Sequence, residues 1–161
     1  MKNTLFVLLM ITGLSAVAQK KISISDFKPL AAKWTGTLTY LDYSSGKPYT
    51  MPCNITVIID NFNNSQFIYV IEYPNEPRAN SRDTSVISED GTKIEDELVL
   101  SNEKFNEVTK IVTEKNGVDG NDHRKAVFRF IYEFSEHSFS KRKEVKFEGG
   151  DKWIVRHEYK M

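Results

Sequence analysis

Histidine and tyrosine side chains alternate with other residues in the last apolar segment of the chain. There His157 and Tyr159 follow Trp153 and Val155 at a spacing of two residues. Residues two apart point to the same side of an extended chain, so all four are predicted to share one face. An imidazole among aromatic rings can ligate haem iron, or it can be a hydrogen-bonded histidine within a wall or at a rim. No second haem motif accompanies His157, so no cofactor is expected and haem binding is the less favoured alternative.

Aromatic residues collect on one face of several other segments with the same alternation. A buried tyrosine hydroxyl needs a hydrogen-bond partner, whereas a solid core is filled better by Leu, Ile and Val. An aromatic face with polar tips therefore favours a cavity for water or a flat apolar ligand, although the rings could simply fill a small barrel. The predicted inner faces also carry Trp34, Phe67, Phe134 and Trp153, and the candidate ligand-binding residues are Tyr40, Tyr69, Tyr73, Phe128, Phe130, Tyr132, His157 and Tyr159.

Other polar clusters have simpler interpretations. Asp119, Asn121 and Asp122 alternate as calcium ligands do, but the twelve-residue pattern with its closing Glu is absent, so a plain hairpin loop without a metal is expected. Cys53 is the single cysteine and lies in an apolar, alternating segment, which predicts a buried structural thiol. The basic run at residues 141–143 is predicted to lie on a solvated outer strand face. A contact with anionic lipid or glycan is the alternative.

Motifs that would indicate catalysis are absent from the sequence. It contains no Gly-x-Ser-x-Gly, no His-Glu-x-x-His and no phosphate-binding glycine loop, and its three histidines, at 123, 137 and 157, are scattered. The chain is therefore expected not to be an enzyme, although a catalytic site can be assembled from residues far apart in sequence.

The element that must position these side chains first is the segment Lys33–Tyr43. Threonines alternate with aromatic residues and leucine along it, which is typical of a half-buried strand. Gly36 lies in its middle, where glycine weakens pairing unless a sharp bend or a close backbone approach requires it. A strand that bends early is suited to a closed barrel.

The rest of the chain predicts about eight to ten antiparallel strands in an up-and-down meander, because short alternating segments follow one another at hairpin spacing. Such a sheet with one apolar face tends to curl into a barrel. A short helix is expected at residues 27–33 after a Ser25-Asp26 cap, placed to plug one end, and residues 74–83 are expected to form an exposed loop. The predicted strands are Lys33–Tyr43, Tyr49–Asp60, Gln66–Tyr73, Thr84–Ser88, Leu98–Ser101, Phe105–Lys115, Arg124–Phe134, His137–Glu148 and Lys152–Lys160.

Residues 1–18 have the pattern of a signal peptide. Lys2 precedes an apolar run that begins at Leu5, and Ala16-Val17-Ala18 is a small-x-small cleavage site. Removal of these 18 residues from a chain of 161 leaves 143, residues 19–161, which suits a single domain. It also leaves 21 basic side chains against 22 acidic ones, a balance that argues against nucleic acid as a partner. We expect a soluble, exported protein, periplasmic or secreted, without a transmembrane segment.

The order of elements resembles the calycin group, which includes lipocalins and fatty-acid-binding proteins. A short helix, a first strand with Trp34-x-Gly36 and an up-and-down meander carry the resemblance. Lipocalins usually have Gly-x-Trp instead, and they place a late arginine over that tryptophan, a position that Arg156 could take. The resemblance implies a barrel with a cavity open at one end. It does not identify a ligand.

These observations predict an exported protein that binds a small apolar or amphipathic molecule in an aromatic-lined barrel cavity. The alternative is a cell-envelope scaffold or protein-interaction module without a ligand, whose loops or basic strand, residues 141–146, would contact an envelope partner.

Overall fold

The computed structural model describes residues 20–59, 65–120 and 123–161. The predicted signal peptide and residues Asn121 and Asp122 lie outside this part of the chain. Within it, no helical segment combines the length and hydropathy that a bilayer span requires.

The described residues form an all-β structure of ten antiparallel strands, as the alternation predicts. The sheet is a meander with the spatial order β4-β3-β2-β1-β10-β9-β8-β7-β6-β5. Strands consecutive in sequence lie side by side except β4 and β5, which are the two edges, and the first strand pairs with the last. The strands are β1 (Lys33–Asp42), β2 (Lys47–Ile59), β3 (Gln66–Glu72), β4 (Ser81–Val86), β5 (Lys93–Ile94), β6 (Glu97–Phe105), β7 (Val108–Val118), β8 (Lys125–Phe134), β9 (Phe139–Phe147) and β10 (Ile154–Lys160).

The sheet curls into a nearly closed barrel. The two edge strands, β4 and β5, meet through an isolated bridge between Ile87 and Ile94. Two hydrogen bonds between Val86 and Glu95 support it: Glu95 N–H donates to the Val86 carbonyl at 2.8 Å, and Val86 N–H donates to Glu95 Oε1 at 2.6 Å. Because only this short contact joins the edges, a seam runs along the remainder of β4.

A short 3₁₀ helix, Ile24–Leu30, closes one end of the barrel, as predicted for a plug. It begins earlier than expected because Asp26 accepts a hydrogen bond at 2.8 Å from the backbone of Ser23, which makes Ser23 the N-terminal cap. Phe27 is fully buried, and its ring stacks on Phe67 at 4.6 Å and on Phe134 at 5.7 Å. The end of the barrel that the helix closes is therefore filled by aromatic rings.

The segment after β3 differs in part from its prediction. Residues 74–80 are outside the sheet and contain a second 3₁₀ turn, Pro77–Ala79. However, β4 begins at Ser81, because the backbone of Ser81–Val86 pairs with β3 despite its polar side chains. The polar side chains of residues 81–83 predicted a loop, but they are polar because this edge strand is exposed to solvent.

Gly36 occupies a close backbone approach, which is one of the two roles predicted for it. A Cβ atom at this position would lie 2.0 Å from the Lys160 carbonyl oxygen and 2.9 Å from Met161 Cα. Both atoms belong to the backbone, so neither can move away without displacing the last strand.

Gly36→Ala is therefore expected to lower the free energy of unfolding by about 2–3 kcal/mol, because the added methyl group separates β1 from β10. Gly120→Ala is the matched control, since nothing lies within 4 Å of the position that its Cβ would take. Urea unfolding followed by tryptophan fluorescence measures both. Equal stabilities of the two variants would show that β1 and β10 can separate at this position without a measurable cost.

Candidate functional site

Two adjacent cavities occupy the barrel. The deeper one has a volume of about 240 Å³, and the wider outer one, here called the vestibule, about 770 Å³. They share three lining residues, Phe130, Lys143 and His157, so the vestibule adjoins the inner cavity. The inner cavity is also lined by Ile55, Tyr69, Ile71, Asp83, Ser85, Phe139, Lys141 and Tyr159, and the vestibule by Tyr40, Leu41, Asp42, Tyr43, Lys115, Val118, Asp119, Gly120, Phe128 and Arg156.

Six of the eight candidate ligand-binding residues line these cavities. Tyr69, Phe130, His157 and Tyr159 surround the inner one, and Tyr40 and Phe128 join Phe130 and His157 at the vestibule. The other two, Tyr73 and Tyr132, do not line either cavity but form hydrogen bonds next to them. The Tyr73 hydroxyl lies 2.9 Å from that of Tyr159, and the Tyr132 hydroxyl donates to Glu97 Oε2 at 3.3 Å. Whether any of these residues binds a ligand stays a prediction.

A buried carboxylate next to the inner cavity was missed in the sequence. Glu97 is only 8% exposed, and its Oε2 atom accepts hydrogen bonds from Thr113 Oγ1 at 2.6 Å and from Tyr132. Burial raises the pKa of Glu97, whereas these hydrogen bonds and the charges of Lys141 and Lys115 oppose the rise. Glu97 lies in a strongly charged segment of the sequence, and only the fold shows that this one side chain turns inward.

The basic run on β9 is not a solvated face, which corrects the interpretation made from composition. Pairing with β8 places Lys141 opposite Tyr132 and Lys143 opposite Phe130, so both lysines face the barrel interior. Arg142, between them, faces outward and forms ion pairs with Glu144 at 3.1 Å and with Glu158 at 3.9 Å. Strand alternation therefore sends two of the three basic side chains of this run into the cavity.

A β-bulge at Arg156 changes which residues of β10 face inward. Val155 lies opposite Glu144 and His157 opposite Lys143, so Arg156 is an extra residue in β10. As a result Val155 is 47% exposed and Arg156 only 7% exposed, the reverse of strict alternation.

The prediction that Trp153 lies on an inner face is wrong. Trp153 precedes β10, and its ring packs under the guanidinium of Arg129, 4.0 Å away. Arg129 belongs to the outward-facing residues of β8, where its Nη2 lies 2.6 Å from a Glu114 carboxylate oxygen.

The arginine over Trp34 that the lipocalin resemblance implies is not Arg156. Trp34 lies at the plugged end of the barrel, where its indole N–H donates to the Leu30 carbonyl at 2.9 Å and its ring lies 5.9 Å from that of Phe139. Arg156 instead lines the vestibule, where it covers the ring of Tyr43 at 4.8 Å.

Asp119, one of the residues with calcium-like spacing, forms an ion pair with Arg156 at the vestibule. Its Oδ2 lies 3.3 Å from Arg156 Nη2, and both side chains are buried. This pair ties the end of β7 to the bulge of β10. Among the residues that the structure describes, no group of three or more potential ligands could hold a metal ion.

The two remaining reactive side chains are held in neutral forms. Burial, followed by the charges of Lys143 and Lys141, lowers the pKa of His157 to about 4. Its imidazole can therefore act as a hydrogen-bonding group in the cavity wall at neutral pH. Burial raises the pKa of the Cys53 thiol to about 11, as expected for a structural cysteine with little thiolate character.

The geometry defines an antiparallel, nearly closed β-barrel of ten described strands, consistent with a calycin-like architecture, with a charged and aromatic cavity. In comparisons with known proteins, no protein-family model matches the chain, and neither a curated protein nor a solved structure matches it significantly.

Removal of one partner from the Asp119–Arg156 pair should destabilise the protein. Asp119→Ala is expected to cost about 3 kcal/mol, because it removes the carboxylate that lies 3.3 Å from a buried guanidinium. The double variant with Asp119→Ala and Arg156→Met should recover part of this loss, since it removes both charges. Urea unfolding of both variants measures the coupling. A double variant less stable than the single one would show that Arg156 stabilises the barrel independently of Asp119.

The lowered pKa of His157 predicts a pH dependence of stability. An unfolded chain binds a proton on this histidine near pH 6.5, whereas the folded chain does so only near pH 4. The unfolded state therefore binds more protons between these values, and stability decreases as the pH falls through that window. His157→Gln should reduce the loss between pH 7 and pH 4 by on the order of 2 kcal/mol. His137→Gln, at an exposed position, is the control, and an unchanged slope in the His157 variant would contradict the burial of its imidazole.

Proposed function

We propose that this protein is an exported binding protein that holds a small apolar or amphipathic molecule in its barrel. The observation that carries the proposal is the inner cavity of about 240 Å³ beneath a wide vestibule. Ligand sites are concave, largely apolar and aromatic, and carry a few placed polar groups. The inner cavity combines apolar and aromatic side chains, among them Ile71, Phe130 and Phe139, with hydroxyl and charged groups.

The arrangement of the two barrel ends supports uptake from one side. The 3₁₀ plug fills the end near Trp34 with buried side chains, whereas the vestibule at the other end is open to solvent. The turn Pro77–Ala79 lies beside the open end, since Ala79 lines a small surface pocket together with Tyr40 and Tyr73. Part of the segment predicted as an exposed loop, residues 74–83, therefore lies near the mouth of the barrel.

Export is part of the proposal and depends on the pattern of residues 1–18. The calycin resemblance comes from the sequence and from the architecture that the chain adopts. The alternative of an envelope scaffold loses one of its two proposed contact surfaces, because Lys141 and Lys143 point into the barrel. Haem ligation by His157 stays a prediction, which an absorbance spectrum of the purified protein tests through its Soret band.

Filling the inner cavity should abolish binding without unfolding the barrel. Ile71 lines the cavity from β3, so Ile71→Trp places an indole in the space that the ligand would take. The neutral probe N-phenyl-1-naphthylamine, measured by its fluorescence, is expected to bind this variant at least about tenfold more weakly than the original protein.

Ile68→Trp is the matched control, because Ile68 lies on the same strand with the opposite orientation, opposite Ile58 and Thr84. It should bind the probe as the original protein does. Native mass spectrometry of protein purified from its own envelope adds the mass of any bound molecule. The proposal fails if the probe binds both variants equally, or if the original protein binds neither this probe nor its anionic counterpart.

A further inference from the structure

Two lysines project into the inner cavity from β9. In the register of the sheet, Lys141 stands between Tyr132 of β8 and Tyr159 of β10. Lys143 stands one pair further along, between Phe130 and His157. Both lysines line the cavity, so their ammonium groups are available to whatever occupies it.

Aromatic rings, and not carboxylates, are the close contacts of these ammonium groups. Lys141 Nζ lies 4.8 Å from the centre of the Tyr69 ring and 5.1 Å from that of Tyr132. Lys143 Nζ lies 4.6 Å from the Phe128 ring centre. Among the described residues neither lysine forms an ion pair, whereas Lys104, Lys110, Lys115 and Lys160 each do. Cation–π contacts stabilise the charged amines but do not neutralise their charge.

The acidic groups nearby do not balance the two lysines. Glu97 interacts with Lys141 electrostatically, but its Oε2 atom already accepts the hydrogen bonds of Thr113 and Tyr132. Asp83 also lines the cavity, although it is exposed on the edge strand β4, where water screens its charge. At the vestibule, Arg156 has its own carboxylate in Asp119. The lining of the inner cavity itself therefore holds two ammonium groups against the single carboxylate of Asp83.

The Tyr69 hydroxyl is a second, independent observation. Tyr69 is 3% exposed, lines the same cavity, and its hydroxyl has no hydrogen-bond partner among the described residues. The hydroxyls of Tyr132, Tyr73 and Tyr159 all have partners. A buried hydroxyl without a partner costs free energy, which an acceptor atom of a ligand would recover.

We propose that the cavity binds an amphiphile with an anionic group, such as a carboxylate or a sulfonate, whose anion lies between Lys141 and Lys143 and accepts a hydrogen bond from Tyr69. The apolar part of the ligand packs against Ile55, Ile71 and Phe130. This inference rests on the proposed function and adds to it the chemical class of the ligand. A charged partner is the group that a desolvated ammonium binds most strongly, through short charge-assisted hydrogen bonds.

Two fluorescent probes of nearly the same shape test the proposal. 8-Anilino-1-naphthalenesulfonate carries a sulfonate, and N-phenyl-1-naphthylamine is its neutral counterpart. The protein should bind the sulfonate at a 1:1 ratio and at least about tenfold more tightly than the neutral probe, as a charge-assisted contact to a buried cation implies. Calorimetry gives the ratio and fluorescence the affinities. Inorganic sulfate at the same concentration should not displace the probe, since it lacks the apolar part.

Substitution of the lysines separates charge from shape. In Lys141→Met and Lys143→Met the apolar stem is kept and the charge is lost, so the preference for the sulfonate should fall at least about tenfold in the double variant. Binding of the neutral probe should be unchanged, which also reports that the variant is folded. Lys146→Met is the control, because Lys146 lies on the same strand but on the outside, over the Trp153 ring at 5.1 Å. It should alter neither affinity.

The possible outcomes distinguish this inference from the proposed function. If the neutral probe binds while the sulfonate binds no better, or if the lysine variants keep their preference, the cavity is a ligand site without anion specificity and the inference is wrong. Displacement by inorganic sulfate would also overturn it, since the site would then hold a free anion. If neither probe binds at a 1:1 ratio, the proposed function fails and the inference fails with it.

Discussion

Antiparallel pairing of the first strand with the last is the contact on which the rest of the barrel depends. Thr37 pairs with Lys160 and Tyr40 with His157, so the chain returns to its starting point after nine intervening hairpin or loop connections. The Gly36 position allows the two backbones to approach so closely that no side chain fits between them. Without this contact, the ten strands would form an open sheet with two further exposed edges, and the inner faces would not enclose a volume.

Closure has an energetic consequence for the charged residues of the interior. Lys141, Lys143 and His157 belong to faces that a closed barrel removes from water, and burial lowers the pKa of each. Burial raises the pKa of the Glu97 carboxyl group, because for an acid it is the deprotonated form that is charged. Apolar residues at these positions would make a more stable core. Titratable groups with shifted pKa values therefore cluster around one cavity, a pattern that is frequent at functional sites.

The plug and the vestibule lie at opposite ends of the barrel. At the plugged end the buried rings of Phe27, Phe67 and Phe134 pack against one another. At the open end the buried ion pair of Asp119 and Arg156 lies at the vestibule. Burial of the aromatic rings stabilises the barrel and offsets the cost of the Tyr69 hydroxyl, which has no hydrogen-bond partner among the described residues.

The sequence by itself determined the class of fold, because alternation with a period of two is a local property that every strand displays. It predicted the strand at β8 and most of the aromatic lining for this reason, whereas the plugging helix was predicted from its capping residues. Three features were decided by the tertiary structure alone. The bulge at Arg156 shifts the facing of β10, the pairing of β9 with its neighbours turns Lys141 and Lys143 inward, and Glu97 is covered only when β6 packs against β7. The register with strands distant in sequence decides which face of a polar strand lies inside. The amino-acid composition of the strand does not determine that register.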